Sequence, residues 1–303
     1  MSRTVNGEFL FDEADHEHLR RQIWIVADYL GLQVLTYTIL SNHFHVLVRV
    51  PQKTPLPDSE LLLRYERMYP KPTKYQTARL DVIKAQLASH GPEAAQWRER
   101  QLRLMGDLSA YLKLVKQRFS IGYNKRHKRF GTLWSERFKS VLVEQGAALL
   151  TIAAYIDLNC LRAGLANDPK DYRFCGYAEA VAGNESARTG IASLYGETWT
   201  EASAQYRLLL FGTGSDPFST KPTFSEEAFQ KVLREKGELT AFQSMRCRIR
   251  FFSDSGIIGS KVFIETMARH CGLENYRPPR VIGAICELKN LYTLRGSRRT
   301  ALQ

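Results

Sequence analysis

The chain has 303 residues, 44% hydrophobic and 24% charged, the balance of a folded globular protein rather than a disordered polar one. Lysine and arginine number 43 against 31 acidic residues, and the net charge of +12 favours a polyanionic partner, nucleic acid above all. No apolar run approaches the roughly 20 residues that span a bilayer, and the start of the chain lacks the apolar core of a signal peptide.

Residues 3–11 are strand-like. Residues 15–29 follow as a helix, with Leu19, Ile23, Val26 and Leu30 at helical spacing and Gly31 as its stop. Residues 34–40 are β-branched and aromatic and read as a strand, Ser41-Asn42 turns the chain, and a second strand runs over 43–50 until Pro51 ends it. A short strand, a helix and a hairpin begin a two-layer α+β unit. The hairpin carries His43-Phe44-His45. Strand side chains alternate, so the two imidazoles share one face while Phe44, Val46 and Val48 take the other. Neighbouring imidazoles on a rigid element make half of a metal site; the alternative is two half-exposed histidines at a sheet edge.

Residues 52–105 break this pattern, with charge and proline first and helical segments around 61–69 and 78–104, and they read as an inserted helical arm. Asp107 is placed to cap an amphipathic helix over 108–123 through Leu112, Val115 and Phe119. From Lys113 to Lys139 the basic residues Lys113, Lys116, Arg118, Lys125, Arg126, Lys128, Arg129, Arg137 and Lys139 face a single acid, Glu136. Phe130, Trp134 and Phe138 interleave with them. Cations neutralise phosphates and aromatic faces stack on unpaired bases; the alternative is a solvated basic loop over core aromatics.

Residues 138–144 read as a strand and 147–159 as a helix, with Leu149, Leu150 and Ala153 on its apolar side and Gly164 as the stop. Tyr155 and Asn159, four apart, share a face of that helix. A carboxamide oxygen can complete a mixed nitrogen–oxygen set with two imidazoles, suited to Mg²⁺ or Mn²⁺ when phosphate fills the remaining positions. A phenol there can attack a phosphodiester. The alternative is an ordinary helix with a half-buried tyrosine near its end.

Residues 211–222 read as a linker, and 225–235, 239–243 and 261–271 as short helices. Arg246, Arg248, Arg250, Arg295, Arg298 and Arg299 keep that region basic, as in a small helical nucleic-acid-binding module. The five cysteines (Cys160, Cys175, Cys247, Cys271 and Cys286) form no C-x-x-C pair and read as reduced, which together with the missing leader gives a cytoplasmic protein as the expectation.

Ser41-Asn42-His43-Phe44-His45-Val46-Leu47-Val48 resembles the histidine–hydrophobe–histidine strand of the HUH nucleases. Arg118-Phe119, Tyr123-Asn124-Lys125-Arg126-His127, Gly131-Thr132-Leu133-Trp134 and Arg137-Phe138-Lys139, followed by Tyr155-Ile156-Asp157-Leu158-Asn159-Cys160-Leu161-Arg162-Ala163-Gly164-Leu165, resemble the REP-associated tyrosine transposases, a single-tyrosine, insertion-sequence type. The resemblance covers residues 1–183 apart from 52–105. It implies an α+β fold, a ferredoxin-like antiparallel sheet with helices on one face, extended here by the helical insertion and a small, mainly helical C-terminal region. The corresponding divisions are a core over 1–51 and 106–183, an arm over 52–105, a linking region over 184–222 and a basic region over 223–303.

The resemblance further implies a divalent metal, Mg²⁺ or Mn²⁺, held by His43, His45 and Asn159, and Tyr155 as the nucleophile that forms a 5′-phosphotyrosine link. Lys116, Arg118, Lys125, Arg126, Lys128, Arg129, Trp134, Arg137 and Lys139 are the expected DNA contacts. The implied substrate is single-stranded DNA beside a REP-like hairpin, handled by a monomer or homodimer without a membrane. Tyr123 is the reserve nucleophile. Three departures stand out: a first strand so short that Met1 is either an internal start or the head of a trimmed edge, the arm itself, and Cys160 where relatives often carry proline. The other implied possibilities are a catalytically silent binder of hairpin DNA or RNA, and a replication initiator or relaxase sharing only the histidine strand.

Overall fold

The computed structural model describes residues 1–52, 54–70, 79–143, 145–215, 222–239, 255–259, 261–270, 280–285 and 288–295. They form an α+β protein, mostly helical with small three-stranded antiparallel sheets, and the chain divides into two units, Met1–Leu142 and Val143–Gln303.

In the first unit, strands β1 (Ser2–Arg3), β2 (Gln33–Leu40) and β3 (His43–Arg49) form an antiparallel sheet in the order β1-β3-β2. Helix α1 (Glu13–Leu30) starts in a capping box in which Asp15 N donates to Asp12 Oδ1 at 2.8 Å and Asp12 N to Asp15 Oδ2 at 3.2 Å. It stops at Gly31, whose φ of 68° is the left-handed conformation that glycine adopts without strain. Helix α5 (Leu108–Arg126) is capped by Asp107, which accepts from Ala110 N at 2.9 Å, and buries Leu112, Val115 and Phe119. Phe44 sits edge-on to Trp134 at 5.6 Å, and Trp134 meets Phe11 and Phe119, while Tyr37 of β2 meets Trp24 of α1 at 6.1 Å. The helices therefore cover the Phe44 face of the sheet, and the histidines lie on the opposite face.

The arm is part of this unit's core. It consists of α2 (Asp58–Met68), α3 (Leu80–Ser89) and α4 (Pro92–Leu104), and buries Leu61, Met68, Ile83 and Trp97. Tyr29 of α1 donates to Gln101 of α4 at 2.6 Å in a buried bond. The single helix expected over 78–104 is broken where His90 turns left-handed (φ 51°) and Pro92 opens α4; its first residue, Ala78, lies outside the described ones.

The strand expected over 138–144 is absent among the described residues. The neighbouring segment instead runs irregularly along β1: Val5 N donates to Leu133 O at 2.9 Å, Ser135 N to Arg3 O at 3.1 Å and Lys139 N to Met1 O at 3.0 Å. Between Ser135 and Lys139 it advances further than β1 does between Arg3 and Met1, and that mismatch prevents a regular ladder.

The second unit holds α6 (Ala147–Asp157), α7 (Asn159–Arg162), α8 (Gly176–Val181), α9 (Glu185–Ala192), α10 (Trp199–Gly214) and α11 (Glu226–Arg234). The stretch 184–222, read from sequence as linking, thus carries two helices, each opened by a cap: Asn184 accepts from Ala187 N, and Thr198 pairs with Glu201. Asp157 is fully buried and accepts from Tyr206 Oη at 2.6 Å and Tyr177 N at 3.1 Å. Asp168 binds Arg207 at 2.8 Å and Lys170 at 2.7 Å.

Among its described residues, the C-terminal region holds a sheet as well as helices. Strands β4 (Ser255–Gly259), β5 (Arg280–Ile285) and β6 (Leu288–Arg295) form an antiparallel sheet in the order β4-β6-β5, with α12 (Lys261–His270) beside it in sequence. Val281-Ile282 and Leu291-Tyr292-Thr293-Leu294 are the β-branched and aromatic residues that favour strands. The expected helix over 239–243 lies largely outside the described residues, as do Arg246, Arg248, Arg250, Arg298, Arg299, Cys247, Cys271 and Cys286. No helix of the described residues is long and apolar enough to cross a membrane.

Candidate functional site

His43 and His45 are neighbours on one face of β3, with ring centroids 5.3 Å apart and planes at 78°. Burial pushes both pKa values down to about 4, reinforced by Arg3 and the N-terminal ammonium and, at His45, by His43 itself. Both rings are therefore neutral near pH 7, the form in which an imidazole ligates a metal. Asn42 fixes which nitrogen of His43 is available. Its Nδ2 donates to Gly7 O at 2.9 Å, which leaves Oδ1 facing His43 Nδ1 at 2.6 Å. An amide oxygen only accepts, so Nδ1 carries the proton and Nε2 the lone pair. Asn42 was read from sequence only as a turn residue; a carboxamide directly before the first histidine was the signal for this second role.

In the second unit, Tyr155 is 44% exposed near the end of α6, and the Arg162 guanidinium lies 4.8 Å over its ring. Asn159 is buried, and its Nδ2 donates to Tyr155 O at 2.8 Å and Ile156 O at 3.2 Å, which leaves Oδ1 as its ligand-type atom. The helix expected over 147–159 ends at Asp157. The Asn159 amide and the Cys160 thiol bond back to carbonyls of the preceding turn, Cys160 Sγ to Asp157 O at 3.2 Å, and this competition interrupts the helix. Leu158 keeps right-handed helical angles (φ −78°, ψ −4°), so Tyr155 and Asn159 still lie one turn apart. Gly164, at φ 67°, ends the segment as expected of it. Arg162 carries no sequence signature of a site residue, because a cation seven residues from a tyrosine has no spacing to read. The structure thus brings His43 together with His45 in the first unit and Tyr155 together with Asn159 in the second.

The basic segment divides into engaged and free cations. Arg126 pairs with the buried Asp15, which also meets His127 Nε2 at 2.9 Å. Arg118 Nε donates to Gln22 at 2.8 Å and its guanidinium lies over Tyr69, while Lys116 Nζ donates to Glu136 O at 2.8 Å and lies over Trp134. Lys139 pairs with Glu136 at the surface at 3.0 Å. Lys113, Lys125, Lys128, Arg129 and Arg137 have no acidic partner among the described residues. Trp134 leaves the set of stacking candidates: it is 7% exposed, packed among Phe11, Phe44 and Phe119, and its Nε1 donates to Ser120 Oγ at 2.8 Å. Phe130, by contrast, is 94% exposed.

Asp12, Asp15 and His127 hold ligand-type atoms within 4.8 Å of one another, a grouping no sequence motif announced. The Arg126 guanidinium already balances Asp15, and a cation would have to displace it. Compared with known proteins, the chain matches no family model, no curated protein and no solved structure.

Proposed function

We propose that this chain is a metal-dependent DNA strand transferase of the single-tyrosine HUH type, a cytoplasmic, REP-associated transposase built on a ferredoxin-like core. The observation that carries the reading is the neutral histidine pair, with the Nε2 lone pair of His43 left available by the Asn42 bond. In this reading His43 and His45 would hold Mg²⁺ or Mn²⁺, with Asn159 as the expected third ligand, and the bound ion would supply polarisation of a non-bridging phosphate oxygen.

Tyr155 is the nucleophile. Its Oη bonds to phosphorus as the P–O3′ bond breaks; the phenolic proton passes to solvent, and the departing 3′ oxygen takes one up. The DNA is left joined through its 5′ phosphate to the tyrosine, and attack by a 3′ hydroxyl reverses the step on a new strand. Arg162 brings a positive charge beside this centre. The free cations of 113–139 hold the single strand, and Arg118 and Lys116 act instead as packing cations.

The test is incubation of the purified chain with single-stranded DNA flanking its own gene, with and without Mn²⁺, scored for a covalent protein–DNA band. The band is expected for the native chain and absent for Tyr155→Phe, which removes one oxygen. A band that persists in Tyr155→Phe excludes that nucleophile. Hairpin binding that survives chelation, with no band on any flank, identifies a silent regulator instead.

A further inference from the structure

Phe130 breaks the rule that large apolar side chains are buried, and it does so on a loop held in place on every side. His127 N donates to Tyr123 O at 2.9 Å, the His127 ring stacks on Tyr123 at 4.1 Å between centroids, and its Nε2 meets the buried Asp15 at 2.9 Å. Arg129 N donates to Asn124 O at 2.9 Å, and Asn124 Nδ2 to Gly131 O at 3.1 Å. Lys128 holds φ at 49°, a conformation that costs a non-glycine residue free energy and persists only where the surroundings impose it, and Gly131 supplies the φ of 88° that the turn needs. The ring at the tip is thus held out by a pre-formed loop.

Cations stand beside it in the sequence. Lys125, Lys128 and Arg129 lie within five residues of it and have no acidic partner among the described residues, and Arg129 Nη1 is buried without a hydrogen-bond partner. A cationic rim fits phosphate, and a flat apolar face fits a nucleobase. Base faces inside a duplex are covered by their neighbours, and only an unpaired base offers one.

We infer that Phe130 is a base-stacking residue that selects unpaired over paired nucleic acid, with Lys125, Lys128 and Arg129 receiving the adjoining phosphates. The inference names a contact within the strand-transfer reading and rests on it only for the identity of the polymer. Duplex binding needs the cations alone; single-strand binding uses the ring as well.

The test uses the full chain in chelator, so that no chemistry occurs, with single-stranded oligonucleotides carrying 2-aminopurine at successive positions and a blunt duplex of the same sequence. Phe130→Ala is expected to weaken single-strand binding by about 5- to 100-fold, the range of one aromatic–base stack, while duplex affinity changes by less than about twofold. The native chain is expected to quench 2-aminopurine at one position, Phe130→Ala to lose that quenching, and Phe130→Trp to keep it. Equal losses on both polymers, no loss on either, or no single-strand binding by the native chain each overturn the inference. So does Phe130-dependent binding to vesicles of anionic phospholipid with DNA affinity unchanged, which makes the ring a membrane contact. Because binding is read without chemistry, a missing Tyr155 adduct sinks the strand-transfer reading and leaves this result standing, and a null effect of Phe130→Ala leaves the adduct assay untouched.

Discussion

The histidine pair and Tyr155 are held in opposite ways. His43 and His45 sit on a strand bonded on both sides, to β1 and β2, with partially buried rings and one ring nitrogen fixed by Asn42. Tyr155 lies near the end of a helix, beside a break, with almost half its surface in solvent. The contrast teaches that the histidines and Tyr155 suit different tasks. A metal needs ligands that are in place before it arrives, whereas a nucleophile that must become covalently loaded and then released needs room around its oxygen.

The largest test of this contrast is ligand deletion. His45→Ala is expected to lower Mn²⁺-dependent adduct formation by about a hundred- to a thousand-fold, the scale of losing metal stabilisation of phosphate charge, without unfolding the first unit. A normal adduct yield would show that the pair is only structural. Next comes Asp157→Ala, which strands the Tyr206 hydroxyl and the Tyr177 amide in the core below Tyr155. It should cost the second unit about 2–4 kcal/mol, read from the urea transition. No change would mean that Asp157 is not the anchor of that helix end.

Asn42→Ala is a smaller perturbation, aimed only at ring orientation. It is expected to weaken Mn²⁺ affinity by about 10- to 100-fold while Tyr155 stays chemically competent at saturating metal. Isothermal titration against the native chain measures the difference, and unchanged affinity would remove Asn42 from the site.

The last test is of pH. Both histidines have folded pKa values near 4, below the ordinary 6.5, so the unfolded chain binds more protons between these values. The stability they contribute is complete above about pH 6.5 and is lost as pH falls towards 4. Tryptophan fluorescence reads mainly the first unit, which holds Trp24, Trp97 and Trp134, with Trp199 alone in the second. The urea midpoint of the native chain should decline through this window, and that of a His43→Asn, His45→Asn double variant should decline less. Parallel profiles would break the link between burial and neutrality.

Local signals were the legible ones. Gly31 stopping α1, Asp107 capping α5 and the histidine hairpin all follow from periodicity and caps within a few residues. What sequence could not supply were partners far away along the chain. Arg126 is consumed by Asp15, Arg118 by Gln22, and Trp134 by a core drawn from Phe11, Phe44 and Phe119. None of these pairings has a spacing to read. The interruption after Asp157 was equally hidden, because it depends on two side chains preferring backbone carbonyls to other partners. The C-terminal sheet went unread because β5 and β6 are short runs next to basic and polar stretches, where composition pointed to helices.

The consumption of Arg126 by Asp15 has a consequence for how tightly the chain holds DNA as salt rises. Each phosphate neutralised by a protein cation releases condensed counterions, and a cation already paired inside the protein releases none. For single strands the slope of log affinity against log salt is about −0.7 per phosphate neutralised. If the five cations without a described partner in 113–139 do the neutralising, the slope is about −3.5, and if all nine basic residues there do, it is about −6. The count of 43 basic residues thus overstates the chain's grip on a polyanion, because some of them, Arg126 first, are already paired inside the protein, here joining the start of α1 to the end of α5.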